Sequence, residues 1–129
     1  MFRKISRFVL LPAIALNFST PSFGEDWPGW RGPRGDGTII DSSAPVKWSL
    51  PDNLVWKLPI EGKGHASPIV IGEKLFLVTA IEKDKSRKLL CIDRKKGREI
   101  WRTDVLKSPF ERVHRLNSRS SSTPCSDGK

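Results

Sequence analysis

Part of this chain repeats itself, and that repeat constrains the fold more than any other feature. Ser67-Pro68-Ile69-Val70-Ile71-Gly72 returns as Thr123-Pro124-Cys125-Ser126-Asp127-Gly128, 56 residues on, with the hydroxyl residue, Pro and Gly in step. Val55-Trp56-Lys57 returns as Ile100-Trp101-Arg102 after 45 residues. A period of roughly 40–50 residues built from short strands marks a β-propeller blade array, in which one repeat cannot bury its faces alone. The expectation is an incomplete array: the first blade and the start of the second, with the remaining blades required for stability.

The strand pattern inside the period supports an all-β class. Leu54-Val55-Trp56-Lys57-Leu58 is a strand candidate, and four more follow near 67–71, 74–80, 88–93 and 98–103. Gly72-Glu73 suits a two-residue hairpin turn, and Asp93-Arg94-Lys95-Lys96-Gly97 suits a turn with Gly in the left-handed position. Residues 66–105 are therefore expected to form one four-stranded antiparallel sheet without helix. Ile69-Val70-Ile71, Leu75-Phe76-Leu77-Val78 and Leu89-Leu90-Cys91-Ile92 are continuous apolar runs, which suit a sheet covered on both faces. Blades in a ring are sandwiched in that way. A single blade would leave one face of the sheet, with Ile69, Val70, Leu75, Phe76, Leu77, Leu89, Ile92 and Trp101, open to water, where it invites aggregation.

Residues 1–24 read as a secretory signal peptide. Arg3, Lys4 and Arg7 precede the apolar run Phe8 to Leu16, and Ser22-Phe23-Gly24 supplies the small-x-small cleavage pattern. The run is too short to span a bilayer, which takes about 20 residues, and no Cys follows it to carry a lipid anchor. The mature chain is thus expected in the periplasm or outside the cell. Residues 25–53, rich in Trp, Gly and Pro, read as an ordered coil docked on something larger, and 54–129 as the repeat region. Arg34-Gly35-Asp36 is a tripeptide that arises easily by chance.

The leader holds three of the 23 Lys+Arg and none of the 14 Asp+Glu, leaving 20 cations against 14 anions, or +6. These cations cluster in Lys83–Lys88 and Arg94–Arg98, where the strand pattern breaks. Solvated hairpin loops that discourage edge pairing account for them, and nucleic acid is not the expected partner. Weak attraction to anionic lipid or polysaccharide fits the charge better. Cys91 and Cys125 are the only cysteines; an exported protein allows a bridge between them, but each sits in an apolar or small-residue segment where a free Cys packs as a small hydrophobe, the favoured reading.

Cys91-Ile92-Asp93-Arg94-Lys95-Lys96-Gly97-Arg98-Glu99-Ile100-Trp101 resembles the Ala-x-Asp-x-x-Thr-Gly-x-x-x-Trp docking motif of pyrroloquinoline quinone-like (quinoprotein-type) β-propeller repeats. Asp93, Gly97 and Trp101 match in type and spacing, while Cys91 stands for Ala and Lys96 for Thr. The Ser-Pro-x-x-x-Gly blade opening and the Asp26–Pro33 leader are also similar. The resemblance implies structural roles: Trp101 offers a ring and an N–H to a neighbouring blade, Asp93 caps the turn, Gly97 takes a positive φ, and Trp56 plays the part of Trp101 ahead of the first blade.

Two functions follow from that resemblance. One is a non-catalytic binding or scaffold propeller contacting a cell-envelope protein or polymer. The other is a quinoprotein dehydrogenase, oxidising alcohols or sugars with pyrroloquinoline quinone and Ca²⁺ held by blades beyond Lys129. No Cys-Cys pair and no acidic loop with Ca²⁺ spacing occurs here, so the non-catalytic function is favoured and no catalytic, cofactor or metal residue is assigned. His114 and Asn117, in the polar link between blades, are the candidate ligand contacts in an axial funnel. His65 reads as a strand-entry residue, and two isolated histidines do not make a metal site.

Overall fold

A computed structural model of the chain describes residues 24–40, 45–47, 49 and 52–128. The segment read from the sequence as a signal peptide lies outside the described residues up to residue 23, as does Trp48 of the 25–53 segment. The chain forms β1 (Ile69–Ile71), β2 (Lys74–Ile81), β3 (Ser86–Asp93) and β4 (Arg98–Lys107). They make one four-stranded antiparallel sheet in sequential order, with no helix among the described residues. The all-β class agrees with the sequence, as do the four strands expected within 66–105, while the fifth candidate at 54–58 does not form. Among the described residues, no helix is long and apolar enough to cross a membrane.

The turns show how the register is set. Ile71 pairs with Lys74 across Gly72-Glu73, and Gly72 has φ 54°. The Asp26 carboxylate accepts the Gly72 N–H at 2.7 Å, tying the leader to this hairpin. At the β3–β4 turn, Asp93 Oδ1 accepts the N–H groups of Lys95 (3.0 Å) and Lys96 (2.8 Å). Those amides, Lys96 foremost, hold the Asp93 carboxyl below the usual carboxylate range. Gly97 adopts φ 60°, a value that glycine reaches without Cβ strain.

Strand ends depart from the sequence expectation in both directions. β1 starts two residues late: Ser67 and Pro68 lie outside the ladder, and the Ser67 backbone N–H donates to Thr123 Oγ1 instead. β3 starts two residues early and β4 runs to Lys107, since Ser86 pairs with both Ile81 and Lys107. β4 slips register twice, leaving Ile100 and Val105 as extra, exposed residues. Bulges of this kind twist an edge strand and hinder pairing with another chain.

The largest correction concerns residues 54–58, which form no strand. Trp56, Leu58 and Ile60 are half-buried while Val55, Lys57 and Pro59 are exposed, so the period of two is real. The segment lies across the sheet instead of joining its ladder. Thr79 Oγ1 donates to the Glu61 carbonyl at 2.8 Å, and Arg102 reaches the Glu61 carboxylate at 3.3 Å. Only at Lys63, which exchanges both backbone bonds with Ala80, does the chain meet β2 edge-on.

The core sits at the middle of β3. Leu90, Cys91 and Ile92 are consecutive and all buried, so both faces of this strand are covered, and Ile69 and Ile92, expected to face water in a single blade, are each 2% exposed. The 54–61 strap covers one face. On the other, the row Ile69–Phe76–Cys91–Trp101 runs from buried to open. Phe76 is half-buried there, and Trp101, 41% exposed, lies 6.0 Å from it. Cys91 and Cys125 are both free, the first buried and the second exposed. Burial pushes the Cys91 thiol up, against a smaller opposing pull from Lys74.

Candidate functional site

Two loops meet beyond the end of β2 that pairs with Lys63. One is Gly62–His65, entering β1; the other is Phe110–Arg119, leaving β4. Between them lies an open basin of about 620 Å³. Its wall brings together Lys63, His65, His114, Arg115, Asn117 and Arg119.

The first loop can approach β2 closely because position 62 is glycine. A Cβ there would stand 2.5 Å from the Ala80 carbonyl oxygen, and the residue has φ 96°. The two loops are tied through backbone: the His65 and Ala66 N–H groups both donate to the Ser120 carbonyl, at 2.9 and 3.1 Å. Ser67 and Thr123, the equivalent positions of the repeat, touch through the bond already described.

The second loop is longer than a hairpin and would cost more entropy to order, so it needs anchors. Arg87 is the main one. Its guanidinium lies 5.0 Å from the Phe110 ring centroid, with Arg119 at 5.2 Å from the same ring. Arg87 also donates to the Arg119 carbonyl at 2.7 Å and to both oxygens of Glu111 at 2.6 and 2.8 Å. That fork holds the Glu111 carboxyl below the usual carboxylate range. Arg119 in turn reaches Glu82 at 3.2 Å.

Within the loop, Asn117 N–H donates to the His114 carbonyl at 2.8 Å, closing a four-residue turn. The Leu116 N–H donates to His114 Nδ1 at 3.3 Å, which places the proton of a neutral ring on Nε2. Asn117 Oδ1 accepts from the Ser118 N–H and the Ser121 hydroxyl, at 2.9 and 2.7 Å. Its NH₂ group has no partner among the described residues. His114 and Asn117, chosen from the sequence, therefore share one wall. His65, set aside as a strand-entry residue, lines the same basin together with Lys63, Arg115 and Arg119. No local motif signals that meeting; it depends on where the strand ends fall.

The four docking residues do not form one group. Trp56 stands over the β3–β4 turn: its indole N–H donates to the Arg94 carbonyl at 2.7 Å, and its ring lies directly against Gly97 Cα. Asp93 and Gly97 shape the turn that receives it. Trp101 is elsewhere, on the open sheet face beside Phe76. Among the described residues, no group of three His, Cys, Asp or Glu side chains could share a metal ion. Compared with known proteins, the chain matches no family model, no curated protein and no solved structure.

Proposed function

We propose that this chain supplies one blade and the opening of the next in an exported, pyrroloquinoline quinone-like β-propeller, and that it works as a non-catalytic binding or scaffold unit of the cell envelope. The observation that carries this is the seat of Trp56 on the turn at 93–97. A tryptophan ahead of the sheet caps that turn with its ring and its N–H. Trp101 is its sequence echo, lies on an open face, and donates no hydrogen bond among the described residues. A following copy of the turn would give Trp101 the same seat. The contact between Ser67 and Thr123 supports this, since it sets the equivalent points of two successive repeats side by side.

The reading is tested by completing the second repeat, with residues 67–107 appended after Ser122. In that two-blade chain, Trp101→Ala should cost about 3 kcal/mol of unfolding free energy, as for a buried aromatic. In the parent chain the same change should cost clearly less, because Trp101 there is 41% exposed and packs against Phe76 alone of the aromatic rings described. Equally small losses in both would defeat the proposal. Export is checked separately: residues 1–24 fused to alkaline phosphatase, which is active only outside the bacterial cytoplasm, should give activity, and an Arg3, Lys4, Arg7 triple Glu variant should not.

A further inference from the structure

We infer that the basin between Gly62–His65 and Phe110–Arg119 is a binding site for an oxyanion, a carboxylate or phosphate group on a small molecule or chain end. The inference stands on the polarity of the wall and goes beyond the blade proposal, which it does not need. Four groups on the wall donate to no acceptor among the described residues: the Lys63 ammonium, the Arg115 guanidinium, the Asn117 NH₂ and the His114 ring N–H. All four are hydrogen-bond donors. The acceptors that could have satisfied them are used elsewhere. Asn117 Oδ1 and His114 Nδ1 are spent inside the loop, and Glu82, the single acid on the wall, receives Arg119.

A wall of open donors with surplus positive charge is matched by an acceptor-only group, which among common ligand chemistries is an oxyanion. An ammonium ligand would meet Lys63, Arg115 and Arg119 with only the engaged Glu82 to receive it. An apolar ligand would leave the donors dry and unpaired. Recognition is also built on a fixed frame. The loop bearing His114, Arg115 and Asn117 is clamped by Arg87, Phe110 and Glu111, and its partner loop is held by Ser120. A preformed donor set loses less freedom on binding than a floppy one.

Equilibrium dialysis of the full chain tests this with three probes: inorganic phosphate, trigalacturonate, and the uncharged galactose trimer as control. Saturable one-to-one binding of phosphate or trigalacturonate is expected, and the arm that binds more tightly identifies the source of the anion. The neutral trimer should not saturate. The double change Lys63→Gln, Arg115→Gln should weaken anion binding by about tenfold or more, the loss expected when charge-assisted hydrogen bonds are removed. Far-ultraviolet dichroism should be unchanged, showing the sheet intact. Lys96→Gln with Arg98→Gln, which removes the same charge at the opposite end, the start of β4, should leave binding within about twofold, since exposed charges remote from a site are screened by salt. No saturable binding of either anion, tight binding of the neutral trimer, or an equal loss from the β4 variant would each overturn the assignment. None of these results bears on whether Trp101 docks, so the two proposals fail independently.

Discussion

Trp56→Ala should lower the unfolding free energy of this chain by about 3 kcal/mol, at the lower end for removal of a large aromatic, because the ring is only half-buried. Three contributions combine. The ring leaves the backbone of Gly97, the Arg94 carbonyl loses its 2.7 Å donor, and the strap loses its anchor at the sheet's end. Gly97→Ala should be damaging for a related reason. A Cβ at this position would fall among the atoms of the Trp56 ring, on a backbone with φ 60° that Ala adopts only with strain. The two changes should not add: with Trp56 gone, the steric part of the Gly97→Ala cost disappears and only the backbone part remains. Chemical denaturation of both single variants and the double variant measures this. Strict additivity would show that Trp56 and the turn are energetically separate.

The architecture was legible where local rules and tertiary packing agree. Gly72, Asp93 and Gly97 fix their turns by local chemistry, and the apolar run Leu89–Ile92, bounded by turn residues, suited a strand covered on both sides. The strap at 54–58 was misassigned because a period of two reports extended backbone, not a pairing partner. Lying on a face and lying in a ladder give the same alternation. Pro59 could have argued against central pairing, as it donates no N–H. Strand ends moved because each depends on a long-range partner: Ser67 on Thr123, Ser86 on both Ile81 and Lys107.

The basin was half legible. His114 and Asn117 stood out as polar, chemically able residues in a link too long for a hairpin. Lys63, His65 and Arg119 did not, because nothing local distinguishes a cation on a basin wall from a cation in water. Arg87 is the clearest omission. The sequence places it among the solvated cations of the 83–88 loop, yet its side chain is only 15% exposed. The signal that could have found it is Phe110, an aromatic in an otherwise polar link, which needs something flat to stack against.

That omission leads to the second large effect. Arg87→Met should release the 108–120 loop while leaving the sheet folded. The Met side chain retains much of the apolar stem but loses the fork to Glu111, the 2.7 Å bond to the Arg119 carbonyl and the cation over Phe110. Hydrogen bonds to charged groups are individually the stronger kind, so a local loss of about 2 kcal/mol is expected, roughly a thirtyfold rise in loop opening. Hydrogen exchange should show it as lost protection at Ser108, Asn117 and Ser120, with β2 and β3 amides unchanged. The same clamp makes the loop acid-sensitive. Arg87 lowers the folded-state pKa of Glu111, so the stabilisation is in place above the ordinary carboxylate range and fades as pH falls through the lowered value. In the parent chain, loop protection should therefore drop in acid before the sheet melts. In Arg87→Met that acid step should be clearly smaller, because the main partner that depressed the carboxyl is gone and only the Glu111 backbone N–H and the Arg119 charge still lower it. A loop that opens in acid equally in both chains would place its anchor elsewhere, with Arg119 and Glu82 the next pair to test.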